Sequence, residues 1–472
     1  MSASVGTADN PLRVAIVGSG PAGFYAAGQL LTAKELHSEV EMFDRLATPW
    51  GLVRAGVAPD HPNIKAVTRV YEKTAKREGF RFHGNVEVGT DVSHEELMAH
   101  HHAVIYATGS PTDRRLNIPG EDLPGSHAAT EFVAWYNGHP DYCDLEFDLS
   151  PKRAVVIGNG NVALDVARML ALTPEELATT DTADHALEAL AESGVEEIVV
   201  LGRRGPLQAA YTNPELKELG EMQAADVIVD PDEAKLDGIS QAQFDSGEID
   251  KTRRVNVETV QEYAAREPHG HPRRIVLRFL VSPVEILGNE RVEGVRVVHN
   301  KLEKTDDGRL VARPTDQTED IECGLVMRSV GYRGEPFGGL PFDEKSNTIN
   351  NENGRIIATE TGEPLAGGYT AGWIKRGPSG VIGTNKKDAQ ETVNLLLEDM
   401  AAGKLPEPTA EVDALIEELH ERHPDVVDYA GWELIDEHER AAGEPHGRPR
   451  VKLTRTEELL GVAGSAALAR KK

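Results

Sequence analysis

Two cysteines, Cys143 and Cys323, are all that this chain of 472 residues contains. That scarcity removes several chemistries at once. A disulfide framework, a CxxC redox pair and a cysteine-ligated iron–sulfur cluster all need more sulfur, or sulfur more closely spaced. Redox work by this protein would therefore have to use a bound organic cofactor. Long apolar runs are missing as well, since nothing approaches the roughly 18 continuous apolar residues of a membrane helix. The opening segment, Met1 to Pro11, lacks the basic-then-apolar order of a signal peptide and the Arg-rich character of a transit peptide, so the expected address is cytoplasmic. Positive charge is in deficit. A formal net charge of -28 argues against nucleic acid as a partner. The remaining composition suits a soluble globular protein with many turns: 39% apolar residues, 27% charged, 45 glycines and 27 prolines. The length calls for two or three domains.

No short-period repeat is visible, but one larger unit occurs twice. Arg13-Val-Ala-Ile-Val17 is followed at once by Gly18-Ser-Gly20-Pro-Ala22-Gly23, and Arg153-Ala-Val-Val-Ile157 by Gly158-Asn159-Gly160-Asn161-Val162-Ala163. Each apolar run reads as a buried parallel strand. Each glycine cluster then opens a helical pattern, with Phe24, Ala27 and Leu31 on one face in the first and Val162, Val166 and Leu170 in the second. Further buried strands are expected at Ala103–Ala107 and Glu197–Leu201, antiparallel strands from about 275 to 333, and a helix from about Asn385 to Met400. Beyond 405 an acidic helical tail is broken at Gly443–Pro449. The expectation is an α/β protein of two Rossmann-like, three-layer dinucleotide domains. The NADP domain (111–332) is inserted into the FAD domain (1–110 and 333–472).

A glycine loop between strand and helix brings a pyrophosphate onto the helix N-terminus. The first glycine makes the turn, the second lets the backbone approach the phosphates, and the third position must be small for packing. The two copies differ at the end of their second strand. In the first copy, the strand Val40–Phe43 ends in Asp44, a carboxylate placed to hydrogen-bond an unmodified ribose, as in FAD or NAD. In the second copy, the strand end is Gly202 and then Arg203 and Arg204, whose guanidiniums suit a 2'-phosphate. The second site is accordingly read as taking NADP(H).

Four blocks make the chain recognisable: Pro49-Trp-Gly-Leu52-Val-Arg-Ala-Gly-Val-Ala-Pro-Asp-His61-Pro62; Gly158 to Arg168; Gly202-Arg-Arg-Gly-Pro-Leu-Gln208; and Gly372-Trp373-Ile-Lys-Arg-Gly-Pro-Ser-Gly380-Val381-Ile382-Gly383. In this order they resemble the adrenodoxin reductase family of NADPH-dependent ferredoxin reductases, and Gly443-Glu-Pro-His-Gly-Arg-Pro looks family-like too. The resemblance implies FAD held at Gly18, Gly20, Ala22, Gly23, Asp44, Leu52, Val88, Trp373 and the Gly380-Val381-Ile382 turn. It implies NADP held at Asn159, Gly160, Asn161, Val162, Arg203, Arg204, Glu215 and Gly380. Asp44 stands where the family is associated with Glu.

By the same resemblance, His61, Glu215 and Trp373 lie beside the reacting rings, with no metal involved. Their work would be positioning and proton movement, because the flavin carries the chemistry. His61 could equally brace its turn, and Trp373 could be core. The implied activity is a ferredoxin–NADP+ reductase: hydride from NADPH to FAD, then single electrons to a ferredoxin-type iron–sulfur protein that feeds, for example, a cytochrome P450 system. The expected state is a monomer. Basic residues in the segment 251–278, with Lys375, Arg376, Lys386 and Lys387, are candidates for steering an acidic partner. The triplet His100-His101-His102 reads as surface. Rival readings are a diaphorase, a flavin monooxygenase, or a nucleotide sensor without turnover.

Overall fold

The computed structural model describes residues 4–306 and 308–470, so residues 1–3, Asp307 and residues 471–472 lie outside the described residues although the expected domain bounds include them. The chain divides into two compact units, residues 1–112 with 332–472, and residues 113–331.

The first unit is built on a seven-stranded sheet. Strands β1 (Leu12–Val17), β2 (Ser38–Asp44), β3 (Phe80–Gly84) and β4 (Ala103–Tyr106) pair in parallel, in the order β4-β1-β2-β3. Strands Pro364–Thr370, Arg355–Ile357 and Asn351–Glu352 extend the sheet beyond β4. Both faces of β1 are covered, which is why it reads as an unbroken apolar run. Leu12, Val14 and Ile16 enter one apolar cluster, while Ala15 and Val17 enter another on the opposite face. Helix α1 (Pro21–Leu30) returns over the sheet and packs against the helix Thr384–Ala401. The chain leaves β1 to one side for β2 and β3, then comes back on the other side for β4. In a parallel sheet such a reversal opens a crevice at the carboxyl ends of the two strands it separates. Gly18 and Thr108 lie at those ends.

The second unit repeats the arrangement with a different cover. Its six-stranded sheet runs Ser126–Ala128, Leu325–Arg328, Arg153–Ile157, Glu197–Leu201, Arg273–Arg278, Ala225–Val229. The reversal again falls beside the glycine-bearing strand, between Arg153–Ile157 and Leu325–Arg328. Ala154 and Val156 face a helix-covered core. Val155 and Ile157 face a cluster to which the antiparallel strands Val281–Leu287, Gly294–Lys304 and Leu310–Glu322 contribute Val281, Ile286, Val295 and Val297.

Two expectations are corrected here. The strand carrying Ile275 and Leu277 is not antiparallel: it pairs in parallel with Glu197–Leu201 and with Ala225–Val229. Its pattern mimics a half-exposed strand because Arg274 and Arg278 flank the apolar Ile275-Val276-Leu277, but those guanidiniums bond Glu197 and Glu233. The histidine triplet is not surface either, as His101 and His102 are 0% and 1% exposed. They join the helix His94–His100 to β4, and one ring nitrogen of each meets the backbone: His101 Nδ1 meets Leu97 O at 2.8 Å and His102 Nδ1 accepts Arg13 N–H at 3.0 Å.

Candidate dinucleotide-binding and active site

The first glycine loop shows a separate reason for each small residue. Gly18 has φ +105, and a Cβ there would sit 2.5 Å from Ala107 O. A Cβ on Gly23 would come within 2.1 Å of Gly18 O, so this position locks helix to strand. Gly20 is different, because a Cβ there would meet nothing within 4 Å. Only the middle glycine faces open space, as close approach by a pyrophosphate requires. The helix behind it fits an anion. Helix α1 has Gly20 as N-cap, no side-chain cap and no acidic residue in its first turn. Its first N–H groups and positive dipole end are left for whatever lies in front.

The loop is held from below by Asp44, in a way sequence reading missed. Asp44 Oδ2 accepts Ser19 N–H at 2.8 Å and Ser19 Oγ–H at 2.6 Å, and Oδ1 accepts Leu46 N–H at 2.9 Å. A carboxylate has about four lone-pair sites, so this bracing coexists with one further donor. Trp50 N–H donates to Ser19 O at 3.1 Å. A Cβ on Gly51, which has φ +49, would sit 2.9 Å from Gly20 Cα. Leu52 therefore begins its short helix hard against the loop. Ala22 meets the third segment, for a Cβ on Gly372 (φ +79) would lie 2.7 Å from Ala22 Cβ.

That third segment is anchored by Asp388, also missed in the sequence. Its carboxylate accepts Gly372 N–H and lies 3.4 Å from both Lys375 Nζ and Arg376 Nε. Trp373 comes next, half-buried, with Tyr332 at 5.1 Å between ring centroids. Its buried Nε1–H has no partner among the described residues. An orphaned indole donor beside a glycine turn fits a ring system that brings its own acceptors. Gly380 has φ +79, Val381 is 55% exposed, Ile382 is half-buried, and Thr384 Oγ accepts Val381 N–H at 3.2 Å. Val88 is buried in one cluster with Val86, Val92, Tyr106 and Val17, the last residue before the glycine loop. His61, 7% exposed, is the N-cap of the one-turn helix Pro62–Lys65. Lys375 is corrected from the basic patch: it is buried, and Glu391 holds its Nζ at 2.6 Å.

The second loop repeats the logic. Gly158 (φ +127) would drive a Cβ to 2.1 Å from Ser329 O, whereas a Cβ on Gly160 would meet nothing within 4 Å. The helix Asn161–Ala171 starts with Gly160 as N-cap, without a side-chain cap or an acidic first turn. Val162 is half-buried there, and Asn161 Oδ1 accepts Thr212 N–H at 2.8 Å. Asn159 lies under Gly202, where a Cβ would sit 2.5 Å from Asn159 Nδ2. Beyond Gly202, Arg203 is exposed and Arg204 half-buried. Neither has a carboxylate within ion-pair distance among the described residues. Burial, then Arg203 and Arg253, hold the Arg204 guanidinium below its ordinary range. Arg253 pairs with Asp250 at 3.3 Å, but Arg203 and Arg204 keep no such counter-charge, and two adjacent guanidiniums of that kind make a place for an anion.

Glu215 lies within an anion-rich knot. Arg168 bonds Asp165 at 2.7 Å and approaches Glu215 at 3.4 Å and Glu218 at 3.7 Å. Burial first, then the Asp165 charge, push the Glu215 carboxyl up to about 8, with Arg168 opposing them. The pair therefore tends to keep a proton near neutrality. Asp165 and Arg168 belong to the recognisable block Gly158 to Arg168, but nothing in the linear pattern linked them to Glu215.

Two glycine loops, each at a sheet reversal and each feeding an uncapped helix, define an α/β oxidoreductase of the two-nucleotide type. Residues 12–200 match the pattern of the pyridine nucleotide-disulphide oxidoreductase family. NADPH-ferredoxin reductase FprA of Mycobacterium leprae is 52% identical over 456 residues, covering 95% of this chain and 98% of the relative. The mitochondrial NADPH:adrenodoxin oxidoreductase of Arabidopsis thaliana is 40% identical, covering 96% of each. The solved structure of Mycobacterium tuberculosis FprA in complex with NADPH superimposes with a TM-score of 0.90 at 51% identity, covering 96% of this chain and 100% of that one. The chain belongs to the NADPH-ferredoxin reductase family, of the adrenodoxin reductase type.

Proposed function

We propose that the protein is an FAD-dependent NADPH:ferredoxin oxidoreductase, with FAD in the first unit and NADP(H) in the second. The observation that carries this reading is the contrast between two otherwise equivalent loops. One strand end offers a carboxylate, Asp44, and the other a pair of uncompensated guanidiniums, Arg203 and Arg204. Bound there, FAD would supply the conversion of a two-electron hydride donor, NADPH, into single electrons for an iron–sulfur acceptor.

The chain's own residues bind, orient and hold protons. Gly18, Gly20, Ala22 and Gly23 present helix α1 to the flavin pyrophosphate, and Asp44 faces its ribose. Leu52, Val88, Trp373 and the Gly380–Ile382 turn would border the ring system, to which the unpartnered Trp373 Nε1–H would be available as a donor. Asn159 to Val162 present the second helix to the NADP pyrophosphate. Arg203 and Arg204 clasp the 2'-phosphate, and Arg253 adds to the positive field. Glu215, raised by burial and by the neighbouring Asp165 carboxylate, stores a proton, and His61 supports the turn beyond the Trp50–Gly56 segment. No nucleophile or metal is required of the protein.

The partner is an acidic iron–sulfur protein serving a downstream oxygenase such as a cytochrome P450. Among the candidate basic positions, Arg278 and Lys375 are spent on internal carboxylates. Lys386 and Lys387 are exposed, next to the Gly380 turn, and are the better candidates for docking. Monomeric, cytoplasmic action completes the proposal, and among the described residues no helix is long and apolar enough to cross a membrane.

Stopped-flow reduction of the yellow protein by NADPH and by NADH, then addition of ferredoxin coupled to cytochrome c, tests the reading. Fast bleaching by NADPH with ferredoxin-dependent cytochrome reduction is expected. Bleaching without transfer to any ferredoxin would instead indicate a diaphorase. Flavin missing from the protein, or indifferent to NADPH, would remove the proposal.

A further inference from the structure

The acidic C-terminal tail has no assigned part in flavin or nucleotide binding, yet it reaches the flavin-side segment through one buried ion network. Arg54, at the end of the short helix Leu52–Ala55, donates from Nη1 and Nη2 to Glu439 at 2.8 and 2.5 Å. Glu439 is 0% exposed and lies on the tail helix Tyr429–Gly443. Its carboxylate also accepts Arg450 Nη1–H at 3.0 Å and Leu453 N–H at 2.9 Å. Lys452 Nζ–H donates to Arg54 O at 3.3 Å. The Arg54 guanidinium stands 5.5 Å from the Trp432 ring, and Trp432 meets Trp50 edge-on at 6.0 Å. The Gly443–Pro449 motif makes this possible. A Cβ on Gly443 would lie 2.7 Å from Arg448 O and Arg450 Cα, so only glycine lets the chain double back and return Arg450 to Glu439.

The segment that the network grips is strained. Trp50 has φ +87, a costly conformation for a bulky side chain, and Gly51 is next at φ +49. Such a pair persists only where its surroundings hold it. Here it is pressed from one side by the phosphate loop at Gly20 and from the other by Trp432 and Arg54. Burial works against the charged form of Glu439, but the guanidiniums of Arg54 and Arg450 prevail and hold its carboxyl below the ordinary range.

We infer that Glu439 is a positioning residue for the flavin site, and that the tail helix, through Arg54, sets the Trp50–Gly56 segment in its flavin-binding conformation. The inference rests on the assignment of that segment to FAD. FAD titration of the deflavinated full chain tests it, read by flavin fluorescence, with melting of apoprotein and holoprotein alongside. Glu439→Gln is expected to weaken FAD at least tenfold and to narrow the gap between holo and apo melting temperatures. Arg450→Lys, a milder change, should do the same to a lesser degree. Lys76→Ala removes an exposed ion pair with Glu433 of the same helix, and should leave FAD affinity within twofold of the parent. Should Glu439→Gln and Arg450→Lys lower both melting temperatures equally and bind FAD like the parent, Glu439 merely braces the tail and the inference falls. Should Glu439→Gln fail to fold, Arg450→Lys alone decides by the same reading. Should the parent itself take up no FAD, the proposed function falls first.

Discussion

Replacing Arg204 with Gln probes the choice between NADPH and NADH at its physical source. Arg204 is half-buried, its guanidinium is lowered by burial and by two neighbouring cations, and no carboxylate neutralises it. The dianionic 2'-phosphate would supply the missing counter-charge. A hydrogen bond to a charged group contributes about 1.5–3 kcal/mol, and about 1.4 kcal/mol is a factor of ten. Arg204→Gln should therefore cut kcat/KM for NADPH by roughly 10- to 150-fold and leave that for NADH within threefold. The double change with Arg203→Gln should approach loss of preference. Because a cation is taken away from other cations, apoprotein stability should hold or rise slightly, while the melting shift produced by NADP+ should shrink. The assay is NADPH- and NADH-dependent ferricyanide reduction beside thermal melts with and without NADP+. An NADPH-to-NADH ratio that changes less than threefold in the double variant would refute the argument.

The two kinds of loop glycine should separate cleanly. Gly20→Ala places its methyl in open space, so the apoprotein should melt normally while FAD affinity falls, as fluorescence titration would read. Gly23→Ala drives a Cβ to 2.1 Å from a backbone oxygen, and overpacking of this kind costs about 1–3 kcal/mol or more, visible as a lower urea midpoint. Glu215, with its carboxyl raised to about 8, binds a proton in the fold that the unfolded chain releases above its ordinary range. Stability should thus decline as pH rises towards 8, and Glu215→Gln should flatten that decline in urea titrations at several pH values. His101 behaves oppositely: burial holds its imidazole down at about 4 from an ordinary 6.5. The unfolded chain takes the proton first as pH falls, so stability should drop by up to about 3 kcal/mol between pH 6.5 and 4. His101→Gln, which retains a donor for Leu97 O, should make that loss shallower.

The linear sequence by itself determined the two strand–glycine–helix units, because their requirements are local. Continuous apolar runs such as Val14–Val17 and Val155–Ile157 suit strands covered on both faces, and a turn at positive φ between strand and helix calls for Gly18 and Gly158. The strand end that carries Arg203 and Arg204 was legible too, because the apolar run Glu197–Leu201 just before it is contiguous. The family was legible from contiguous blocks. The partners of charged and polar groups were not, because they arrive from far along the chain. Glu439 meets Arg54 across 385 positions, and Arg13 N–H meets His102 across 89. A histidine triplet looks solvated and Lys375 looks exposed until folding buries His101 and His102 against backbone groups and brings carboxylates to Lys375. Likewise Asp44 looked like a ribose ligand alone, and only the folded loop brought Ser19 onto its carboxylate. Backbone conformation answers to neighbours in sequence, whereas burying a charge or a donor depends on a counterpart that only the tertiary structure delivers.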